Sequence, residues 1–348
     1  MANERRITLT EIARRSGTSP MAVSVVLNGA RSNTRVSEAT RTRIMDVASG
    51  LNYSPNAMAQ SLKRQKTNTL GVLFGWAGRT ALNNIFSMVL LDGIVAGAST
   101  AGYQILLYTQ RWENAAVSSS KFSDWRTDGV ILISPNEHSD VVSGLSDLGV
   151  PVVVLSSFTD VPGIPFIDVD NRRGVKLALD HLWELGHRRI ACLGHTRVRF
   201  NMRERFDAYR EWMADHEMPI NSRLVVDGLD VIPPAEQAER ISELLKMYEA
   251  PTAVFAFTDD LATVAIDVAH SLGLTVPGDL SVVGFDDALG RSLTVPKLTT
   301  IRQPLTAMGE EAARILVEQI ANKGAREGDP DKHIIAPTLI VRESTASV

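Results

Sequence analysis

Residues 7–29 read I-T-L-T-E-I-A-R-R-S-G-T-S-P-M-A-V-S-V-V-L-N-G: two short apolar periods of helical spacing, separated by a glycine-containing turn. Thr8 and Glu11 have the spacing of a capping box, in which each side chain reaches the other's backbone N–H. Leu9, Ile12 and Ala13 then give a short apolar face, and Gly17 is placed to end that helix in a left-handed conformation. Ser19 can cap a second helix with Pro20 at its first position, where a missing N–H costs nothing. Val23, Val26 and Leu27 recur at helical spacing before Asn28 and Gly29 stop it. Two short helices about such a turn have the helix-turn-helix shape. Ser37 opens a third helix, in which Ile44, Val47, Ala48 and Leu51 can cover the first two. These features alone describe a helix-turn-helix and any other small three-helix bundle with a solvated basic face equally well.

Outward from this stretch, charge divides the chain. Residues 1–64 hold ten Lys/Arg and four Asp/Glu, while the rest holds 26 and 36, although the whole chain is only −4. A basic head on an acidic body is expected where one end alone meets phosphate. At 348 residues the chain exceeds one compact core, so two or three domains are expected. The single Cys192 can form neither an intrachain disulfide nor a zinc site, and its setting in I-A-C-L (190–193) reads as a small core residue. No signal segment precedes the first helical pattern, and no stretch approaches the ~18 apolar residues of a membrane span. A cytoplasmic protein without a membrane partner is the expectation.

Beyond a K-T-N-T linker (66–69), strand-like apolar runs at 70–74, 104–108, 130–133, 152–155, 190–193, 253–257 and 281–285 alternate with helical patterns. The helices are expected at 85–101, 175–185, 203–215, 235–248, 261–272 and 305–323. This alternation predicts an α/β body of doubly wound parallel sheets, which bind ligands beyond the carboxyl ends of their strands. Periodicity alone leaves a Rossmann-like enzyme open. Yet the sequence has no P-loop, Gly-rich dinucleotide fingerprint, G-x-S-x-G elbow or metal-ligand cluster, so no catalytic residue, cofactor or metal is expected.

The order of residues goes further. The run at 7–29, R-V-S-E-A-T-R at 35–41 and L-N-Y-S-P-N-A-M-A-Q-S-L at 51–62 together resemble the head of the lactose-repressor (LacI/GalR) family. The resemblance implies an all-α helix-turn-helix head over residues 1–66. Its second helix would enter the major groove, with DNA contacts from Thr8, Ser19, Pro20, Met21, Ala22, Ser24, Val25 and Asn28. It also implies a hinge helix at about 55–62, lying in the minor groove through Asn56, Ala59 and Leu62, with Leu62 as a wedge. Physics supports the hinge role: so short a helix orders only when DNA and a second copy hold it, and a leucine between base steps kinks the duplex. Two departures stand out. The 28–37 loop is longer than is usual in the family, and Ala22 and Val25 stand where many relatives carry Thr and Arg.

The body likewise resembles that family and the related type I periplasmic binding proteins, through V-D-N-R-R-G (169–174), H-L-W-E-L-G-H-R-R-I-A (181–191), F-T-D-D-L-A (257–262), V-P-G-D-L-S-V-V-G-F-D-D (276–287) and L-T-T-I-R-Q-P (298–304). This implies an effector-binding and dimerisation domain over 67–348, made of two subdomains hinged around a ligand cleft. The N-subdomain would hold about 69–168 and 303–324, and the C-subdomain about 169–300 and 330–348. A homodimer on a pseudo-palindromic double-stranded operator is implied, and the sequence ends without the leucine heptads of tetrameric relatives.

Within the cleft, the resemblance carries over Arg205 and Asp286 as an Arg–carboxylate clamp suited to a sugar, with Thr258, Asp259, Ser134, Ser156 and Gln303 as further polar contacts. Trp76 and Phe200 could stack on a sugar ring or pack in the core. His187, Arg188 and Arg189 read as a solvated turn. Two alternatives remain: a phosphorylated protein co-effector, as in catabolite-control members of the family, and a solute-binding protein with no use for the basic head.

One consequence is open to measurement. Val25 offers methyl groups that suit a thymine methyl and no donor for guanine. Val25→Arg is expected to shift preference toward guanine at one position per half-site by ~1–3 kcal/mol, read by selection from a randomised site; an unchanged preference would mean Val25 does not face the bases.

Overall fold

The computed structural model describes residues 7–28, 35–54, 66–75, 84–195, 198–229, 232–322, 328–329 and 331–348. The chain forms two compact units, a head to Thr67 and a body from Asn68, one residue beyond the boundary read from the sequence.

In the head, α1 (Leu9–Ser16), α2 (Pro20–Asn28) and α3 (Glu38–Gly50) pack around Ile12, Ala13, Ala22, Val23, Ile44 and Ala48. The expected caps form. The Thr8 and Ser37 hydroxyls accept from the N–H groups of Glu11 and Thr40, both at 3.3 Å, and Ser19 Oγ accepts from Ala22 N–H at 3.1 Å. Gly17 ends α1 at φ +63°, a conformation that costs glycine nothing. Only half of the capping box appears. Glu11 accepts instead from Arg14 at 2.7 Å and Arg15 at 2.6 Å, and these bonds hold its carboxyl at about 2.

Among the described residues the body contains two six-stranded sheets. The first runs β11-β5-β4-β3-β1-β2 and is wholly parallel, from β1 (Thr69–Phe74), β2 (Gln104–Leu107), β3 (Gly129–Ile133), β4 (Val152–Leu155), β5 (Phe166–Val169) and β11 (Lys332–Ile335). Its strands alternate. Leu70, Val72 and Phe74 face a core shared with α4 (Ile85–Thr100) and α11 (Leu305–Ala321). Leu73, Val130 and Leu132 face α5 (Ala115–Phe122) and α6 (Val141–Asp147). The second sheet runs β12-β10-β9-β8-β6-β7, from β6 (Ile190–His195), β7 (Val225–Asp227), β8 (Ala253–Ala256), β9 (Ser281–Asp286), β10 (Thr299–Arg302) and β12 (Thr338–Ile340). All its pairings are parallel except β10 with β12. Here Ile190 and Cys192 face α7 (Asn171–Glu184) and α8 (Phe200–Asp215), while Ala191 and Leu193 face α9 (Pro234–Leu245) and α10 (Asp259–Ser271). Helices on both faces of each sheet are why the strands read as near-continuous apolar runs.

The chain passes between the sheets three times: at Asp170, at Gln303–Pro304 and at Ala336–Pro337. The third differs from the sequence reading, which put everything from 330 onward in the C-subdomain. Strand β11 instead adds to the first sheet beside β5, and the chain returns only for β12. Five short strands (β5, β7, β10, β11 and β12) escape the sequence reading for one reason. F-I-D-V, V-V-D, T-T-I-R, K-H-I-I and T-L-I carry too few consecutive apolar residues to announce themselves.

Close packing fixes the N-subdomain. A Cβ at Gly93 would lie 2.2 Å from the Thr306 carbonyl oxygen, and one at Gly309 would lie 2.4 Å from that of Leu90. Helices α4 and α11 therefore touch backbone to backbone. Burial pushes the Cys192 thiol up, as suits the inert core residue expected. His187, read as part of a solvated turn, is buried instead: Nδ1 meets Thr252 Oγ1 at 2.9 Å and Nε2 meets the Ala346 carbonyl at 3.1 Å. It ties the C-terminal segment down, while Arg188 lies over the Trp183 ring and Arg189 bonds the Ala250 carbonyl.

Candidate effector cleft and DNA-contacting head

Helix α8 carries Arg205 into the body with only 1% of its surface exposed. Its Nε donates to Asn171 Oδ1 at 2.8 Å, its Nη1 donates to the Phe257 carbonyl, and the guanidinium lies 3.6 Å from the centre of the Phe285 ring. Asn171, first in α7, passes the contact on. Its amide donates to Asp168 Oδ2 at 3.0 Å and to the Val169 carbonyl at 3.1 Å. Burial lowers Arg205 to about 10, so the group stays charged near neutrality. Burial raises Asp168, at the end of β5, to about 7, partly offset by the Val169 N–H and by Arg205.

Asp286 ends β9 across the same space, at φ +146°. Its Oδ1 accepts from Gln303 Nε2 at 2.8 Å. Burial first, and Asp259 second, push its carboxyl well above the usual range. Among the described residues no ion pair joins Arg205 to Asp286; the two face a cavity of about 570 Å³ lined by both. Ser134, Thr258, Asn84, Phe86, Asn201, Met202, Gln237, Asp260 and Leu261 also line it. The lining mixes hydrogen-bonding groups with apolar surface, as small-molecule sites do.

Other expected contacts fall differently. Thr258 caps α10 through Leu261 N–H at 3.2 Å while lining the cavity. Asp259 is spent on structure: Oδ1 accepts from the Thr300 hydroxyl at 2.5 Å and Oδ2 from Asp287 N–H at 2.8 Å. Ser134 lines the cavity, and its hydroxyl donates to the Ser156 carbonyl at 3.0 Å. Ser156 sits behind it, its own hydroxyl buried without a partner. Gln303 touches Asp286 rather than the cavity. Phe200 is neither a core residue nor part of the cavity lining; it stacks on Phe158 at 5.0 Å between the two subdomains. Trp76 lies outside the described residues, as do Asn56, Ala59 and Leu62 of the hinge.

In the head, Thr8, Ser19, Pro20 and Met21 are exposed, while Ser24, Val25 and Asn28 are half-buried along α2. Ala22 is a correction. It belongs to the core beside Ile12 and Val23, so it supports the helix from within and does not present a side chain to a base edge.

Known proteins agree with both halves. Residues 8–56 match the model of bacterial regulatory proteins of the lacI family, and residues 179–345 match a periplasmic binding protein-like domain. The transcriptional regulator DegA of Bacillus subtilis is 30% identical over 346 residues, 98% of each chain. The chain belongs to the LacI family. Catabolite control protein A of Priestia megaterium is 30% identical over 90% of this chain and 92% of its own. The lac repressor dimer bound to operator shares the fold, with a TM-score of 0.83, 24% identity and coverage of 99% and 100%. The regulator CelR in complex with cellobiose aligns at a TM-score of 0.72 with 29% identity over 97% of this chain and 100% of its own. As a LacI-family member the protein is a DNA-binding transcription regulator and not an enzyme; regulators of this family bind operators and small effectors and are dimers.

The sequence did not mark Asn171 and Asp168, which stand behind Arg205, or Asn84, Phe86 and Asp260, which line the cavity, as candidates. Asn171 had a signal, an asparagine where a strand gives way to a helix within V-D-N-R-R-G; the others come together only through topology.

The Asp168 carboxyl carries a pH signature. Its ordinary value is 3.8 and burial raises it to about 7, so the folded state holds its proton more tightly than the unfolded chain. The stability this contributes is fully present below about pH 4 and is lost as pH rises through 7. Asp168→Asn removes the loss. Urea unfolding at pH 4.5 and 7.5 should show the variant gaining on the wild type at the higher pH; a gap that does not change with pH would contradict the assignment.

Proposed function

We propose that this regulator is a cytoplasmic homodimeric repressor whose operator affinity is set by a sugar held between Arg205 and Asp286. One observation carries the sugar reading: a fixed, charged donor and a buried carboxyl group line one cavity that also offers apolar side chains. Sugars present hydroxyls as both donors and acceptors, with C–H faces between them. A buried site of this kind discriminates well, because a ligand lacking a hydroxyl leaves its partner unpaired.

DNA contact is assigned to the basic head, through exposed Met21, Ser19 and Thr8 and half-buried Val25 on α2, with the hinge residues Asn56, Ala59 and Leu62 in the minor groove. Phosphate contacts make such binding fall steeply with salt. An effector can shift the operator equilibrium only by its difference in affinity between the DNA-competent and DNA-incompetent arrangements.

Two substitutions separate the roles, once an operator has been selected from random DNA. Asp286→Ala should abolish release or recruitment by sugar while operator affinity without sugar stays near wild type. Leu62→Ala should weaken operator binding and leave sugar affinity unchanged. Fluorescence anisotropy reads the first quantity and calorimetry the second. Full operator affinity in Leu62→Ala would remove the wedge, and a normal sugar response in Asp286→Ala would remove the clamp.

A further inference from the structure

Away from the three crossings, the start of α8 rests on the opposite subdomain. Glu137 follows β3 and Phe158 follows β4, both on the N-subdomain side; Val198, Phe200 and Arg203 lie in the approach and first turn of α8. Glu137 N–H donates to the Val198 carbonyl at 3.0 Å. The Arg203 guanidinium pairs with Glu137 and lies 5.2 Å from the centre of the Phe200 ring. Phe200 in turn stacks on Phe158 at 5.0 Å with 23° between the planes, and Phe158 meets Phe166 edge-on. We propose that this first turn of α8 is a latch, seated on the loops after β3 and β4, which holds the cleft closed at its mouth.

Three features make the contact a latch and not a fixed joint. The helix has no side-chain cap: its N-cap residue is Arg199, which makes no capping bond, so tertiary contact takes over the work of ordering the first turn. The Glu137 carboxylate relies on Arg203, since its Oε2 is buried without a partner, and losing Arg203 would strand it. The pair is also partly solvent-exposed, with 40% of the Arg203 side chain and 20% of that of Glu137 accessible. An ion pair so placed is weak and screened by salt, and one aromatic stack adds a modest amount. Their sum biases an equilibrium between closed and open arrangements by a several-fold factor, which an effector can outweigh. Because Arg205 sits two residues beyond Arg203 on the same helix, seating the first turn also places the buried guanidinium. The latch belongs to the body alone and stands whatever the effector proves to be.

The test needs no effector. Spin labels at Ser143→Cys on α6 and Glu239→Cys on α9, both exposed positions in opposite subdomains, report the opening as a distance distribution in the full chain; the native Cys192 is fully buried. Diluting labelled with unlabelled chains suppresses distances between copies. Glu137→Arg and Arg203→Glu should each lengthen and broaden the distribution, Phe158→Ala should do the same, and the double exchange Glu137→Arg with Arg203→Glu should return it toward the parent. Raising salt should open the parent and leave Phe158→Ala more open still. Single exchanges that keep the parental distribution would overturn the latch. So would a double exchange that stays as open as the singles, since the effect would then be local damage to α8.

Discussion

The body is organised around one buried positive charge. Placing a guanidinium where water cannot reach is costly unless its donors and charge are answered. Arg205 is answered by a side-chain amide, a backbone carbonyl, an aromatic face and the longer-range charges of nearby carboxyl groups. Each comes from a different part of the C-subdomain or its border: Asn171 from the first crossing, Phe257 from the end of β8, Phe285 from β9. The second sheet cannot be rearranged locally without exposing or stranding that charge. The cost of the arrangement falls on the acids, whose carboxyls at Asp168 and Asp286 are driven upward by the same burial.

Backbone strain collects at the same place. Ser134, Ser156, Asp286 and Asp287 all adopt positive φ, at +43°, +58°, +146° and +47°, and all stand at or just past the carboxyl ends of β3, β4 and β9. Non-glycine residues persist there only where the surroundings over-determine them. For Asp287 those surroundings are explicit: Arg302 bonds its Oδ2 at 2.6 Å, Arg342 bonds its Oδ1 at 2.7 Å, and Asp259 accepts from its N–H. Strain at strand ends that open on a cavity is the pattern of a built binding site. Gln303 links this site to the second crossing, because it bonds Asp286 through both its backbone N–H and its side chain.

How much of this could be read from sequence follows from the range of each interaction. Among the described residues of the head, the three helices and their caps are legible in the sequence, because caps, a left-handed glycine and helical periodicity act within a few positions. Its two failures, Glu11 and Ala22, arose where a local rule met competition: two arginines took the Glu11 carboxylate, and the core took Ala22. In the body, long apolar strands announced themselves and short mixed ones did not, so the third crossing was placed too early. Arg205 and Asp286 are named as candidates through a resemblance, whereas Asp260 and Phe86 need the fold to bring them to the same cavity and Asp168 needs it to reach Asn171 behind Arg205. Asp259, a further candidate from the same resemblance, has its oxygens engaged by Thr300 and Asp287 and is absent from the lining of the cavity that Arg205 and Asp286 share.

The central claim is that the Arg205 guanidinium, already held by Asn171 and Phe257 through two of its five N–H groups, offers others to a sugar. Lysine keeps the charge but lacks the planar fork, so it cannot hold those partners and a ligand together. Calorimetric titration of the full chain and of Arg205→Lys against a panel of neutral pentoses, hexoses and disaccharides measures this directly. The account predicts that a sugar binds the wild type and loses at least about tenfold in affinity, or ~1.4 kcal/mol, in Arg205→Lys. A sugar that bound both proteins equally well, or a panel from which nothing bound the wild type, would contradict it.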